Sequence, residues 1–245
     1  MSCVKGLFNS IKMKSTTLLA IDTCTEACSA ALMRHGQIQE RYQYAPRAHT
    51  QLILPMIQSL LDEAGLKLHD LDALAFTRGP GSFTGIRIAA SIVQASAFAA
   101  DLPVVLVSSL HCLAQGAYRE LHAQQVFASI DAHLDEVFAG TYCLQTETGI
   151  MHALGSEQRL LPQDCTAAGL THFVGVGSAW DRHHLLFEAP FKNRLQRWVP
   201  QRYPRAYDAA VIAVAAYQRG ETVTAMEALP TYLRETVAIR RGSNG

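Results

Sequence analysis

A regular alternation of short apolar runs and longer helical patterns over residues 16–120 constrains the fold of this chain more than any other feature. Three apolar or alternating runs come first, with a His35-Gly36 turn between the second and the third. The predicted strands are 16–21, 28–33, 37–44, 71–77 and 103–107, and the predicted helices are 50–64, 86–100 and 109–120. This β-β-β-α-β-α-β-α order predicts an α/β fold with a layered sheet whose later strands are parallel.

The second half of the chain is less regular. Strand patterns lie at 126–130, 136–144 and 173–176, and Asp208 can N-cap a helix that runs to about Arg219. Residues 180–206 show no clear period. We therefore predict a first lobe at residues 15–120 and a second, smaller lobe at 121–245. Residues 1–14 are predicted to be an N-terminal extension, with Met13 as a candidate start of the natural protein.

The composition indicates a well-packed chain without a strong charge. Of the 245 residues 49% are hydrophobic and 17% are charged, which excludes intrinsic disorder. The 21 basic and 21 acidic residues balance, so the chain lacks the basic footprint of a protein that grips nucleic acid unaided. Six scattered cysteines favour a reducing, cytoplasmic location. No apolar stretch reaches the length and hydrophobicity of a membrane span.

Two predicted helices carry more apolar surface than one sheet can cover. The apolar residues of helix 50–64 span an arc of about 200°, whereas one sheet needs a stripe of about 100°. Helix 86–100 is apolar or small nearly all round. Either the two helices bury against other parts of this chain, or they contact another chain. Pro55 indicates that the first helix starts late or kinks. The candidate partner-interface residues on these helices are Leu54, Ile57, Leu61, Ile88, Ile92 and Ala95.

Two segments are candidates for binding phosphate. Asp22 at the end of the first strand resembles the phosphate hairpin of actin-like ATPases, although Cys24 stands where a close-approaching phosphate needs glycine. The loop 79–85 follows a strand and opens a helix, a context that suits an anion. Arg87 can add a charged contact there. For Asp22 the alternative is a strand-end carboxylate that closes a turn. For the loop the alternative is a tight turn that needs positive φ angles, with Arg87 paired to a local carboxylate. The weak phosphate-loop candidates are Asp22, Gly79, Gly81, Ser82 and Arg87.

The residue patterns predict neither a catalytic site nor a metal site. The ten histidines include no H-E-x-x-H motif and no pair at i, i+4 on one helix. Ser82 has no assignable base, and His49 is better placed to cap the first helix. The acidic residues around the predicted turn at 131–136 favour solvated carboxylates over a catalytic pair.

Three motifs resemble the TsaB family, formerly YeaZ. The run 19–32 matches the N-terminus of that family, and the runs 47–51 and 78–87 match its most specific signatures. Weaker matches lie at 130–138, 175–177 and 230–234. The resemblance covers almost the whole chain from Met13. It implies an actin-like ATPase-domain (ribonuclease-H-like) fold of two lobes, each with a mixed sheet and flanking helices.

The resemblance also implies a role in tRNA modification. TsaB-like proteins support the installation of N6-threonylcarbamoyl on adenosine 37 of tRNAs that read codons beginning with A. The implied partners are a catalytic paralogue, TsaD, bound through the helices beside the loops, and the ATPase TsaE. The complex would make most of the contacts with tRNA, and ATP or ADP is possible at its interface. No cofactor is expected on this chain alone.

The catalytic role does not carry over from the paralogue. Its two metal-binding histidines align with Ser109 and Leu113, and leucine cannot ligate a metal. The resemblance therefore implies a non-catalytic partner subunit. The alternative function is that of an actin-like-fold, ATP-dependent kinase or a metallopeptidase-like enzyme acting alone. A homodimer through the same two helices also remains open.

Overall fold

Two mixed β-sheets with helices on both faces organise residues 16–233, the part of the chain that this computed structural model describes. The predicted N-terminal extension and the candidate start at Met13 lie outside the described residues. The predicted order of strands and helices over residues 16–120 is confirmed.

The first sheet has five strands in the order β3-β2-β1-β4-β5. They are β1 (Leu18–Asp22), β2 (Ala27–Arg34), β3 (Gln37–Tyr44), β4 (Ala73–Thr77) and β5 (Val104–Val107). β1 pairs antiparallel with β2 and parallel with β4, and β4 pairs parallel with β5. Every residue of β1 and β4 is buried, because helices cover both faces of these central strands.

Helices α1 (His49–Ala64) and α2 (Phe83–Ala100) cover one face of the first sheet. The predicted late start of α1 is wrong, since the helix begins at His49 and contains Pro55. The length and composition of α2 would suit a membrane span. However, Ala89 and Val93 of α2 are buried against the sheet, as in a core helix.

The second sheet has the order β11-β10-β6-β7-β8, and β9 pairs with β7. Its strands are β6 (Gln125–His133), β7 (Glu136–Gln145), β8 (Ile150–Ala153), β9 (Gln158–Leu160), β10 (Phe173–Val176) and β11 (Leu195–Val199). Helix α3 (Ser109–Leu121) covers one face and α4 (Ser178–Phe191) the other. Helix α4 has a non-helical backbone at His183 and contains Pro190. Its exposed Leu185 and Leu186 obscure the apolar pattern, so the sequence did not indicate this helix.

The last helix, α5 (Ala206–Gln218), returns to the first sheet. Its alanine-rich surface packs on the face of that sheet opposite α1 and α2. Farther along, Val223 pairs with Val104 at the edge of β5. Helix α5 thus packs on the first sheet although it belongs to the predicted second lobe, 121–245. Its small side chains let it lie close against that sheet.

The predicted N-cap role of Asp208 is wrong. The N-cap residue of α5 is Arg205, and no side chain caps that helix end. Asp208 lies in the first turn, is buried, and accepts two hydrogen bonds from Arg119 of α3 at 2.8 and 2.9 Å. A buried carboxylate requires such a charged partner, so Asp208 joins two helices instead of capping one.

Candidate functional site

The glycine-rich loop that precedes α2 packs directly on the backbone of the β1–β2 hairpin. The Ser82 N–H donates to the Cys24 carbonyl at 2.8 Å, and the Thr23 hydroxyl donates to the Gly85 carbonyl at 2.7 Å. A Cβ on Gly81 would lie 2.3 Å from the Cys24 oxygen, and one on Gly85 would lie 2.0 Å from the Thr23 oxygen. These two glycines therefore permit close contact between two segments of this chain.

The other loop candidates are also engaged within the chain. The Ser82 hydroxyl accepts a hydrogen bond from the Gly85 N–H at 3.3 Å and so caps α2. Gly79 has a φ of 106°, as the tight-turn alternative predicted, and its carbonyl accepts a hydrogen bond from the Ser109 N–H at 3.0 Å. The loop is thus a junction between the β1–β2 hairpin, α2 and α3.

Asp22 is fully buried at the end of β1. Its Oδ1 atom accepts hydrogen bonds from the Thr77 hydroxyl and from the Cys24 thiol, the latter at 2.7 Å. Its Oδ2 atom has no hydrogen-bond partner among residues 16–233. Burial raises the pKa of this carboxyl to about 6. These contacts fit the strand-end carboxylate that closes a turn better than a ligand of metal-bound phosphate.

Arg87 lies against two aromatic rings. Its guanidinium carbon is 3.2 Å from the centroid of the Phe83 ring and 5.4 Å from that of Tyr232. Such stacking is a cation–π contact. Arg87 is exposed on α2, and its contacts with these two rings are neither the carboxylate pair nor the anion contact that the sequence suggested.

A cleft of about 1110 Å³ separates the first-sheet loops from the second sheet. It is lined by residues that include Cys24, Arg47, Ser82, Asp131, Arg159 and Ser178. His49 lies at its edge, and the Nε2 atom of His49 is 3.2 Å from the Ala27 carbonyl. His49 makes no capping hydrogen bond, so the predicted cap is wrong, and this side chain joins α1 to β2 instead.

The carboxylates of the β6–β7 turn form ion pairs. Arg182 of α4 contacts Asp131 at 3.0 Å and Asp135 at 3.4 Å, while Glu136 pairs with Arg159. Among residues 16–233 no group of three or more histidine, cysteine or acidic side chains is placed to hold a metal ion.

The outward faces of α1 and α2 carry exposed apolar side chains near the loop. Leu54 of α1 is 55% exposed. Ile57 and Leu61, by contrast, are buried in the core beneath the first sheet. These two residues are therefore not available to a partner. The sequence identified the helix but not which side of it faces outward.

Helix α2 presents the larger part of this surface. Ala95 is exposed, while Ile88 and Ile92 are half-buried against the first core. Two aromatic residues that sequence reasoning missed are more exposed, with Phe98 at 79% and Phe83 at 61%. We call the exposed part of Leu54, Phe83, Ile88, Ile92, Ala95 and Phe98 the outer helix face.

Comparison with known proteins assigns the chain to a family. Residues 41–238 match the family model described as "TsaD: tRNA N6-adenosine threonylcarbamoyltransferase". The tRNA threonylcarbamoyladenosine biosynthesis protein TsaB of Escherichia coli K12 is 40% identical over 91% of this chain and 97% of that protein. The chain belongs to the TsaB family. The Haemophilus influenzae TsaB is 37% identical over 94% of this chain and 98% of its own length.

Solved structures of the TsaB (YeaZ) family share the fold. YeaZ from Pseudomonas aeruginosa matches with a TM-score of 0.81 and 44% identity, over 89% of this chain and all of that chain. A Pseudomonas aeruginosa protein described as similar to peptidase YeaZ matches with a TM-score of 0.82 and 46% identity. The predicted TsaB resemblance and the predicted actin-like α/β fold are therefore confirmed.

Ser109 and Leu113, the positions where the resemblance implied that the paralogue carries histidines, are buried in this chain. Leu113 is 3% exposed and packs in the core between α3 and the second sheet. Ser109 is fully buried at the start of α3. Neither side chain is an imidazole, and both are enclosed by the protein.

Proposed function

We propose that this TsaB-family chain acts in the biosynthesis of tRNA threonylcarbamoyladenosine as a non-catalytic subunit. In this role it binds and supports a TsaD-like catalytic paralogue in a heterodimer, which a TsaE-like ATPase joins. The complex installs N6-threonylcarbamoyl on adenosine 37 of tRNAs that read ANN codons. The names of the curated relatives support the pathway, and the subunit role is inferred from the arguments that follow.

The outer helix face is the observation that carries the partner role. Phe98 is 79% exposed and Phe83 is 61% exposed on one helix, with Leu54 of the neighbouring helix at 55%. Exposed aromatic residues grouped on one surface are typical of the anchors of protein–protein interfaces. A paralogue with a similar pair of helices can bury this surface.

The loop and the hairpin argue against catalysis by this chain alone. Gly81 and Gly85 pack on the backbone of the hairpin. Asp22 is fully buried and accepts a hydrogen bond from the Thr77 hydroxyl. Both segments border the cleft, but the close approach that these glycines permit is taken by the carbonyls of Thr23 and Cys24, not left for a phosphate. We therefore place ATP or ADP at the interface between subunits, and most tRNA contacts on the partners, because this chain carries no net charge.

Reconstitution tests the proposal. Unmodified tRNA and threonylcarbamoyl adenylate are incubated with the purified chain, with the TsaD-like paralogue, with both, and with both plus the TsaE-like ATPase. Nucleosides are then quantified by mass spectrometry. We expect one-to-one binding of the chain to the paralogue, and modified adenosine only where both are present.

Two outcomes would favour the alternative, an actin-like kinase or metallopeptidase-like enzyme acting alone. They are ATP hydrolysis by the purified chain, and zinc or iron retained by it at stoichiometric amounts. A two-fold homodimer would bury the same outer helix face on both copies. Light scattering on the chain alone tests for this dimer because it measures the molar mass. A monomer across micromolar concentrations excludes that state.

A further inference from the structure

Here a lobe means one sheet together with the helices that pack on it. Six charged side chains meet where the two lobes join. They are Glu40, Arg119, Glu120, Arg202, Arg205 and Asp208, three cations and three anions. None of these side chains is more than 38% exposed, and Asp208 is only 2% exposed. All of them except Glu40 line a second, smaller cavity of about 230 Å³.

One ion pair of this group crosses directly between the lobes. Arg119 belongs to α3, which packs on the second sheet, and Asp208 belongs to α5, which packs on the first. The guanidinium donates two parallel hydrogen bonds to the carboxylate at 2.8 and 2.9 Å. Gly116 permits this approach, since a Cβ there would lie 2.9 Å from Asp208 Oδ2. The two helices are thus fixed in orientation as well as in distance.

Glu120 connects the remaining charges. It accepts hydrogen bonds from Arg202 and, at 3.4 Å, from Arg205, and it lies 3.0 Å from Arg119. Arg205 in turn donates to Glu40 of β3 at 3.1 Å. A continuous series of ion pairs therefore runs from the edge of the first sheet, through the start of α5, to the last turn of α3.

The segment 200–206, which connects β11 to the start of α5, is fixed by hydrogen bonds at both ends. The Gln201 N–H donates to both carboxylate oxygens of Asp181 in α4, at 3.0 and 3.2 Å. The Ala206 N–H donates to the hydroxyl of Ser29 in β2 at 2.8 Å. A change in the angle between the lobes would strain these bonds together with the six charges.

We infer that the six charged residues form an ionic lock that fixes the angle between the two lobes. The cleft of about 1110 Å³ has residues of both lobes on its walls, so a fixed angle also fixes its width, with or without an occupant. The physical reason is the high cost of separating a partly buried ion pair, because each charge then remains in the interior without its partner. This inference is independent of the proposed partner.

Distance measurements between spin labels on the two lobes test the lock. One label replaces Thr84, which is exposed in the first lobe, and the other replaces Gln158, which is exposed in the second. Cys3 and Cys143 are changed to serine in the full-length chain, so that labelling is specific. We expect a single narrow distance distribution for this parent protein.

The variant Glu120→Gln keeps the side-chain size but removes the charge that three guanidinium groups share. We expect its distance distribution to broaden to at least twice the parent width. Glu63→Gln is the matched control, because it removes the Arg41 ion pair on the surface of the first lobe. Its distribution should equal that of the parent.

A second variant guards against loss of the fold. Arg119→Met combined with Asp208→Leu removes the crossing pair from both sides and leaves no unpaired buried charge, an exchange that proteins often tolerate. Circular dichroism verifies that both variants are folded. Broadening in either folded variant supports the lock. A narrow distribution in both, or a broad one in the parent protein, overturns it.

Discussion

The Thr23 hydroxyl donates a 2.7 Å hydrogen bond to the Gly85 carbonyl, so the end of the first strand touches the first turn of α2. The two residues are 62 positions apart in the chain. The backbone carbonyl of Thr23 also lies against Gly85 and leaves no room there for a side chain. The loop motif at 78–87 therefore packs against the β1–β2 hairpin and stabilises the fold.

Gly85→Ala is expected to lower the free energy of unfolding by about 3 kcal/mol, because the new methyl group would overlap the Thr23 carbonyl. Gly155→Ala is the control, since a Cβ there meets no atom within 4 Å. Urea denaturation measures both variants. Equal stability of the two would mean that the hairpin and the loop can separate at no cost.

Asp22→Asn is expected to change how stability depends on pH. The pKa of Asp22 is raised from 3.8 to about 6 in the folded protein, so its protonated form is the favoured one there. The resulting stabilisation is complete below pH 3.8 and is lost as the pH rises through 6. Relative to the asparagine variant, the parent protein should lose about 2 kcal/mol of stability between pH 4 and pH 8. A difference that stays constant with pH, in parallel denaturation series, would contradict this assignment.

The cysteines of the described residues are expected to differ sharply in reactivity. Burial raises the pKa of Cys28 and Cys165 to about 12, and it raises those of Cys24 and Cys112 well above the usual range. Thiolates are the reactive form, so these four should be unreactive in the native state. Cys143, which is half-buried, should react first.

Titration with a thiol reagent at pH 8, followed by peptide mass spectrometry, measures this order. In denaturant all the cysteines should react at similar rates. Rapid native labelling of Cys24 would show that the hairpin opens readily, against the close loop contact described above.

Phe98→Glu is expected to weaken binding of the TsaD-like paralogue by about 100-fold, equivalent to about 2.7 kcal/mol. The reason is that a charge buried within an apolar contact loses its water without gaining a partner. Leu185→Glu is the control, since Leu185 is 72% exposed but lies on α4 of the second lobe. Calorimetry measures both affinities. Normal binding by the Phe98 variant would remove the outer helix face from the proposed interface.

Most of the fold could be predicted from the sequence because its central strands are buried on both faces and therefore appear as continuous apolar runs. Helix α4 could not, because a histidine, His183, occupies a buried position while Leu185 and Leu186 are exposed, which obscures the apolar pattern. Nor could the course of α5, because an alanine-rich surface does not specify which sheet it packs on.

The candidate site was less predictable. A glycine gives the same sequence signal whether it supplies a positive φ, as Gly79 does, or close contact with a distant backbone, as Gly85 does. The partner of Gly85 is distant in the chain, so only the folded structure distinguishes these uses. Likewise, the excess of apolar residues on α1 was evident, but the choice between Leu54 and Ile57 required the position of the sheet.

The return of α5 to the first sheet has a consequence for synthesis of the protein. When the ribosome has completed β5, one face of the first sheet is still without its helix, which follows about 100 residues later. The amino-terminal half is therefore not a unit that can mature while translation continues. Its core is finished only when α5 has emerged, so a nascent chain that ends before α5 exposes the apolar surface of β1 and β4 to chaperones and proteases.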